Sequence, residues 1–545
     1  LKAINPHSTS VQPMPKHSIL VLCLLGLLAG WNLFQGGGLV SDLGGDPDEP
    51  AHAVTSLMVR DYLAGGFWQN PASFAKRYYA DFPKVALGHY PPGYYLLGGL
   101  ALLIWPQPIT LIVLQALLAF ALGVLIWRLG RHLVSEAGAI AAASMVMLLP
   151  LVAKIQSHAM ADLLLVVLVG LSSAAWVSFL QSPSTVSALA FGGLAAAAIL
   201  TKGSALMLGA VPAFSLLLLR RWTLLKNWRW WLAGLPVALL AFPWMLFTAK
   251  ITREGMVDST LSAFLSQAVP AYFQEWLESH GLLLMAFAFI GILALIIRAL
   301  RQHLSEAEAV LLSLLAGGAA ILLLVPAGIT SRYLAPLVPA LAILAVMGAE
   351  MLLPRLMHFM PAIDQPLAIR IGLPLMVMAA LAKPWMNYWP KAVHGFSQAV
   401  TQALPDIAQA KPSAQAHWLV SSDPRGEGAI IAEAAFRLPA RAPSPLRIHR
   451  ASKELSVSDW MGRGYQMADR NEAELLARLD ELHISTVFLD QSMRESQRVS
   501  HHDLLQHALR SAPDRWQLTQ TVPITRLLWE KGELQVYRRM SSTSR

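Results

Sequence analysis

The sequence predicts a polytopic α-helical membrane protein: a bundle of eleven or twelve spans with juxtamembrane helices on one face, followed by a small α/β domain. Three observations carry this. Mean hydropathy is +0.48 and only 14% of the 545 residues are charged, too apolar for a soluble enzyme of that length. Apolar runs of spanning length recur from Ser18 to Trp389. From Pro390 onward the chain turns charged and proline-dotted, so the expected division is a membrane domain over 1–389 and a soluble domain over 390–545.

Eleven runs have spanning character: Ser18–Phe34, Ile109–Trp127, Ala137–Val152, Leu163–Leu180, Val186–Leu200, Ala205–Leu219, Trp230–Phe247, Leu282–Ile297, Ala309–Val325, Leu334–Leu353 and Ile371–Trp389. The first reads as a signal anchor, because no small-residue cleavage site follows it. A twelfth, Tyr94–Trp105, is short and pinned between Pro91-Pro92 and Pro106. Basic residues decide its fate. With a cytoplasmic N terminus and no crossing there, Arg128, Arg131, Arg220, Arg221, Lys226, Arg229, Arg298, Arg301, Arg355 and Arg370 all fall in inside loops. If the segment crossed, the same loops would lie outside. Tyr94–Trp105 is therefore expected to be re-entrant or surface-lying, which puts the long first loop and the tail on the external face.

The net charge of +9 is scattered in short clusters between apolar runs. It reads as topology signals with some affinity for anionic membrane lipid, not as a nucleic-acid surface. Cys23 is the single cysteine, which excludes a disulfide within the chain. In the tail, "HWLVSSD", "PLRIHRAS" and "ISTVFLD" alternate with helical stretches such as "EAELLARLDEL", without a phosphate-binding glycine loop.

The first external loop opens with "GGDPDEPAHAV", Gly44 to Val54. Asp48 and Glu49 stand on the first turn of a helix, where its dipole and free N–H groups keep carboxylates ionised. One acid would suffice for capping. Helix-borne Asp48, Glu49 and His52 could also ligate a divalent metal. Later in the loop comes "GHYPPGYYLL", with His89, Tyr90 and Tyr94; on their own, Tyr94 and Tyr95 read as an aromatic belt. Asp162, close in sequence to Lys154 and His158, opens the fourth span and is either a helix cap or a paired site residue. Lys202 in "LTKGSAL" and Arg332 in "ITSRYLAPLVPAL" open later spans on the same face; snorkelling explains one such cation but not the convergence of all of them.

An external "DE" after the first span, a "PPxYY" segment, a "TKG" between short spans and an "RYxxPxxP" near the last spans together resemble the polyprenyl-phosphate-sugar-dependent glycosyltransferases of the GT-C fold. Protein O-mannosyltransferases and the bacterial lipid A aminoarabinose transferases are the groups it is similar to, over roughly Ser18 to Leu353. The resemblance implies a lipid-linked sugar donor, a hydroxyl acceptor (lipid, glycan or protein), and inverting transfer on the external face of a bacterial cytoplasmic membrane. It implies Asp48 as general base with Glu49 beside it, Asp162 as a second acid, and Lys202 and Arg332 as cations facing the donor phosphate. His89, Tyr90 and Tyr94 fall on the loop that would line the substrate. One departure is Tyr90, preceded by His89, where the aminoarabinose transferases carry a lysine before proline; this loop is expected to lack a cation at that position. The rival reading is a transporter or flippase of lipid-linked sugars, which predicts mid-membrane charges and inverted repeats. A second is an assembly protein whose tail does the work.

Overall fold

The computed structural model describes residues 17–357, 365–409, 415–438, 444–459, 462–527 and 530–540. Among these, seven helices are long and apolar enough to cross a bilayer: Ser18–Gln35, Pro108–Gly130, Asp162–Gln181, Trp228–Glu254, Leu282–Leu300, Glu306–Leu324 and Ser331–Leu352. The apolar pair Glu136–Leu148 and Pro150–Gln156 makes an eighth candidate if it is one broken span; it bends by 57° where Pro150 has no N–H to continue the helical ladder. The remaining expected runs fall on shorter apolar helices, Thr185–Ile199, Gly203–Leu219 and Gly372–Met386. The first two are separate because Lys202 is extended (φ −157°, ψ 136°) and splits one apolar stretch into two. The run near Ile371–Trp389 falls in helix Gln365–Met386. The side chains of Arg355 and Arg370 lie outside the described residues.

Helix Gly93–Ile104 has 12 residues, too short to cross. It lies against helix Asp48–Asp61, and small residues permit the approach: a Cβ on Gly98 would meet Ser56 Oγ at 2.6 Å and one on Gly99 would meet Val59 Cγ1 at 2.8 Å. Its opposite edge exposes Leu96, Leu100, Leu103 and Ile104. Tyr94 and Tyr95 are fully buried, so the aromatic-belt reading of that pair is corrected. They face the acid-bearing helix because the helix's periodicity turns its leucines outward.

The tail forms strands β1 (Ala416–Ser421), β2 (Leu446–Arg450), β3 (Ser456–Val457), β4 (Gln466–Met467), β5 (Thr486–Asp490), β6 (Trp516–Leu527) and β7 (Glu530–Arg539). The main sheet has the order β2-β1-β5-β7-β6, parallel through β2-β1-β5 and antiparallel through β5-β7-β6. Helix Pro424–Arg437 is buried from Gly426 to Ala435, sandwiched between this sheet and helix Asp48–Asp61. One apolar core joins Ala53, Val54 and Leu57 of the first loop to Trp418, Val420, Ile430 and Phe488 of the tail. Backbone ties reinforce it, with Asp42 N donating to Val393 O at 2.7 Å and Lys391 N to Gly36 O at 3.0 Å. First loop and tail therefore lie on the same face of the bundle. Arg221 and Arg229 donate to Leu180 O and Pro183 O, at the far end of helix Asp162–Gln181.

Candidate active site

Helix Asp48–Asp61 starts at Asp48, after Pro47 has set the backbone and Asp48 N has bonded Asp46 Oδ1 at 3.0 Å. Its carboxylate, 25% exposed, accepts from Arg332 Nη2 at 2.9 Å and from the Tyr90 hydroxyl at 2.9 Å. Arg332 also lies 3.7 Å from Asp46. It is delivered by the 3₁₀ turn Ser331–Leu337, whose Pro336 interrupts α-helix pairing just before the long span. Burial alone would raise the Asp48 carboxyl; Arg332, His52 and the two hydrogen bonds outweigh it and hold the carboxyl at about 2. Burial and Asp48 together keep the Tyr90 phenol protonated, as a donor.

A second ion pair stands beside the first. Lys202 Nζ meets Asp162 Oδ1 at 2.6 Å, with both side chains buried. The ammonium also lies 5.0 Å from the Tyr333 ring centre and 6.0 Å from that of Tyr90, so Tyr90 links the pairs: its hydroxyl serves Asp48 and its ring faces Lys202. Asp162 pairs with Lys202, 40 positions away. The sequence neighbour His158 instead bonds Ser157 Oγ and Lys154 O.

Glu49 occupies a different environment. Its carboxylate is fully buried, paired to Lys391 Nζ at 2.6 Å, and accepts from the backbone N–H groups of Gly44, Gly45 and Ala159. His52 is buried, with Nδ1 3.0 Å from Tyr95 Oη and the rings of Tyr90, Tyr94 and Tyr95 around it. Burial lowers its imidazole to about 4 despite Asp48 and Asp162, so it is neutral. The Tyr94 hydroxyl accepts from Gln115 Nε2 at 2.9 Å, which makes Tyr94 the wall behind His52. His89 is half-buried in the turn that carries Tyr90; burial lowers its imidazole against the pull of Glu254 and Asp48.

Asp48, Glu49 and His52, the residues expected to be able to ligate a divalent metal, have separate partners in this structure. Arg332 and Tyr90 take one Asp48 oxygen, Lys391 and three backbone donors take Glu49, and Tyr95 takes His52 Nδ1. The three point to separate neighbours, and among the described residues no group of three acidic, His or Cys side chains converges on a cation position.

Several neighbours of the site escaped sequence reasoning. Lys391 stands two residues past the last apolar run, where composition assigns it to the tail. Tyr333 sits inside the quoted "RY" without a role of its own. Lys84, in "FPKVALG", donates to Pro424 O at 3.0 Å and feels Asp48, Asp423 and Glu427; burial, aided by Arg450, lowers its ammonium to about 8. The first loop supplies a cation six residues before Tyr90, at a position the sequence reading passed over. Its signal was weak because a lone lysine between apolar residues resembles any snorkelling lysine.

A helical bundle carrying a juxtamembrane acid helix and a small C-terminal sheet domain is the GT-C fold of membrane glycosyltransferases. Over 97% of this chain and 99% of the other, it is similar to ArnT from Cupriavidus metallidurans bound to undecaprenyl phosphate, with TM-score 0.53 and 14% identity. The oligosaccharyltransferase of Archaeoglobus fulgidus in its apo form matches with TM-score 0.55 and 13% identity, over 87% of this chain and 70% of that one. The archaeal oligosaccharyltransferase AglB from Archaeoglobus fulgidus, in complex with an inhibitory peptide and a dolichol-phosphate, matches with TM-score 0.52 and 13% identity, over 86% and 69%. No family model matches the sequence. No curated protein matches it either.

Proposed function

We propose that the chain is a membrane glycosyltransferase that moves a sugar from a polyprenyl-phosphate carrier to a hydroxyl acceptor, with inversion, using Asp48 as general base. The observation that carries this reading is the pair of adjacent ion pairs, Asp48–Arg332 and Asp162–Lys202, joined through Tyr90. Two cations side by side suit a lipid phosphate; an acid already ionised beside them suits an acceptor hydroxyl. Two structures with this fold hold polyprenyl phosphates, undecaprenyl phosphate in ArnT and a dolichol-phosphate in AglB, which supports the donor class.

In the reaction, the acceptor oxygen attacks the anomeric carbon and its proton passes to Asp48. The carbon–oxygen bond to phosphate breaks on the opposite face, and the lipid phosphate leaves with the electron pair. That leaving group is a stable anion and needs cations rather than a strong acid. Arg332 can hold it through a fork and Lys202 as a point charge. Arrival of the phosphate competes for Arg332, which loosens its grip on Asp48 and raises the base toward a useful range. Glu49, closed off on Lys391, positions the helix start, and Asp162 positions Lys202.

The site is placed on the external face of a bacterial cytoplasmic membrane, with a cytoplasmic N terminus. The support is the basic-residue pattern, with Arg221 and Arg229 at the end of the bundle opposite Asp162. The proposed division is a membrane domain over 1–389 and a soluble domain over 390–545 that buttresses the acid helix. The test is purified full-length protein with polyprenyl-phosphate sugars and a panel of hydroxyl acceptors, scoring release of free lipid phosphate. Release that depends on both acceptor and Asp48 supports the reading; vectorial movement of the intact donor across a vesicle membrane without release favours the flippase instead.

A further inference from the structure

A second cavity, of about 480 Å³, lies at the other end of the acid helix, where Asp61, the segment 64–66 and helix Pro71–Asp81 meet the tail at Gln415, Leu438 and Arg447. Helix Asp48–Asp61 has 14 residues, which separates this cavity from Asp48 by roughly 20 Å along the axis. It is not part of the phosphate site.

Its chemistry is specific. Phe74, Tyr78 and Phe82, spaced four apart on one helical face, form a ladder with ring centres 6.0 and 5.5 Å apart. Around them stand Asp61, Arg77, Asp81 and Arg447, two acids and two guanidiniums. Asp61 is buried, accepts from the Tyr78 hydroxyl at 3.1 Å and is backed by Arg60 at 2.6 Å. Gln415 Nε2 donates to Asp81 Oδ1 at 3.0 Å, and Arg447 stands 3.6 Å from the same oxygen. The two acids are matched by Arg60 and Arg447, and Arg77 donates to Gln69 Oε1, so no pair of bare cations converges on an anion and no bare acids on a cation. Fixed acceptors and donors alternating beside an aromatic face suit a ring that has one C–H face and several hydroxyls, each donor and acceptor at once.

We infer that this cavity between the first loop and the tail is a binding site for a neutral glycan, the distal part of a saccharide acceptor whose reacting hydroxyl lies at Asp48. The acceptor assignment rests on the transfer reading above; the saccharide site itself does not. The span from Asp48 requires a chain of several sugar rings rather than a monosaccharide. Atoms of the cavity take no part in transfer; they bind and orient.

The experiment is saturation-transfer NMR on the full-length protein in detergent with maltotriose, mannotriose, chitotriose and lactose, and with inorganic phosphate as the charged comparison. At least one saccharide binds the parent protein. Asp61→Asn and Arg447→Ala each weaken it by about tenfold, the loss of one good polar contact. Gly65→Leu weakens it: Gly65 lines the cavity and nothing lies within 4 Å of its Cβ position, so the leucine adds bulk at the rim without a clash in the core. No saccharide bound by the parent, undiminished binding by Gly65→Leu, or phosphate bound in the saccharide's place overturns the inference. Saccharide binding without lipid phosphate release from any donor leaves the site standing and sinks the transferase reading; release without saccharide binding does the reverse.

Discussion

Arg332 crosses 284 positions of sequence to place its guanidinium 2.9 Å from the Asp48 carboxylate. The charge that would hold a donor phosphate is therefore the charge that keeps the proposed base at about 2 in the free protein. The pH profile should reveal that double duty. The acid limb of kcat/KM reports the free enzyme and that of kcat the bound complex. With Arg332 drawn to phosphate, Asp48 becomes easier to protonate, so the acid limb of kcat should lie at higher pH than that of kcat/KM. Coincident limbs would remove the competition for Arg332 from the mechanism. Asp48→Asn should retain donor binding while transfer falls by about 10²–10⁴-fold, the usual worth of a positioned base.

Lys202→Met should destabilise the protein by about 3–5 kcal/mol, because it strands the Asp162 carboxylate in a buried site. Adding Asp162→Asn should restore most of the melting temperature without restoring donor affinity. Arg332→Lys keeps the charge and loses the fork, so donor binding should weaken there too. If the stabilised Lys202→Met/Asp162→Asn protein binds undecaprenyl phosphate like the parent, Lys202 serves the fold alone.

What the sequence disclosed followed from periodicity and from the expense of charge near a membrane. The acid helix at Asp48, the short helix after Pro91-Pro92 and the alternation of strands and helices in the tail were all local patterns. Asp48, Asp162, Lys202 and Arg332 stood out because each was an ionisable group at an apolar boundary, and the structure brings them together. Pairing was another matter. Nothing local says that Glu49 meets Lys391, 342 positions away, while Asp48, its neighbour in sequence, meets Arg332. Successive helix residues point about 100° apart, so adjacent acids reach different walls. The hairpin of β6 and β7 was also missed: its buried residues Val522, Ile524, Leu534 and Val536 alternate with polar ones, a weaker signal than a continuous apolar run.

The single cysteine, Cys23, is exposed, so labelling starts from a Cys23→Ser background. Ser73 in the first loop, Ser496 in the tail and Gln181 at the far end of helix Asp162–Gln181 are all exposed. That helix has 20 residues, about 30 Å and enough to cross. Single cysteines at Ser73 and Ser496 should react with an impermeant maleimide from outside intact cells, and one at Gln181 only after lysis. Labelling of Gln181→Cys alone would invert the proposed orientation.

Glu49 and Lys391, 0% and 1% exposed, fasten the start of the acid helix to the beginning of the tail. Burial pushes the Glu49 carboxyl upward, yet Lys391, His158 and the hydrogen bonds win and hold it below its ordinary value. A depressed acid contributes stability that is complete above its unfolded value of about 4.3 and is lost as pH falls through the folded value. Glu49→Gln removes that contribution and leaves an ammonium buried without its counter-ion, a loss of about 3–5 kcal/mol near neutrality. The melting temperature of Glu49→Gln should therefore fall well below the parent's at pH 7, and the gap should narrow in acid as the parent's own carboxyl protonates. Glu49→Gln/Lys391→Met, with neither charge, should recover most of the loss at pH 7 and flatten the acid dependence. Because this pair positions Asp48 rather than reacting, the double variant should keep donor affinity and lose turnover only in proportion to its residual looseness. A double variant that is stable yet as inactive as Asp48→Asn would place Glu49 in the chemistry itself.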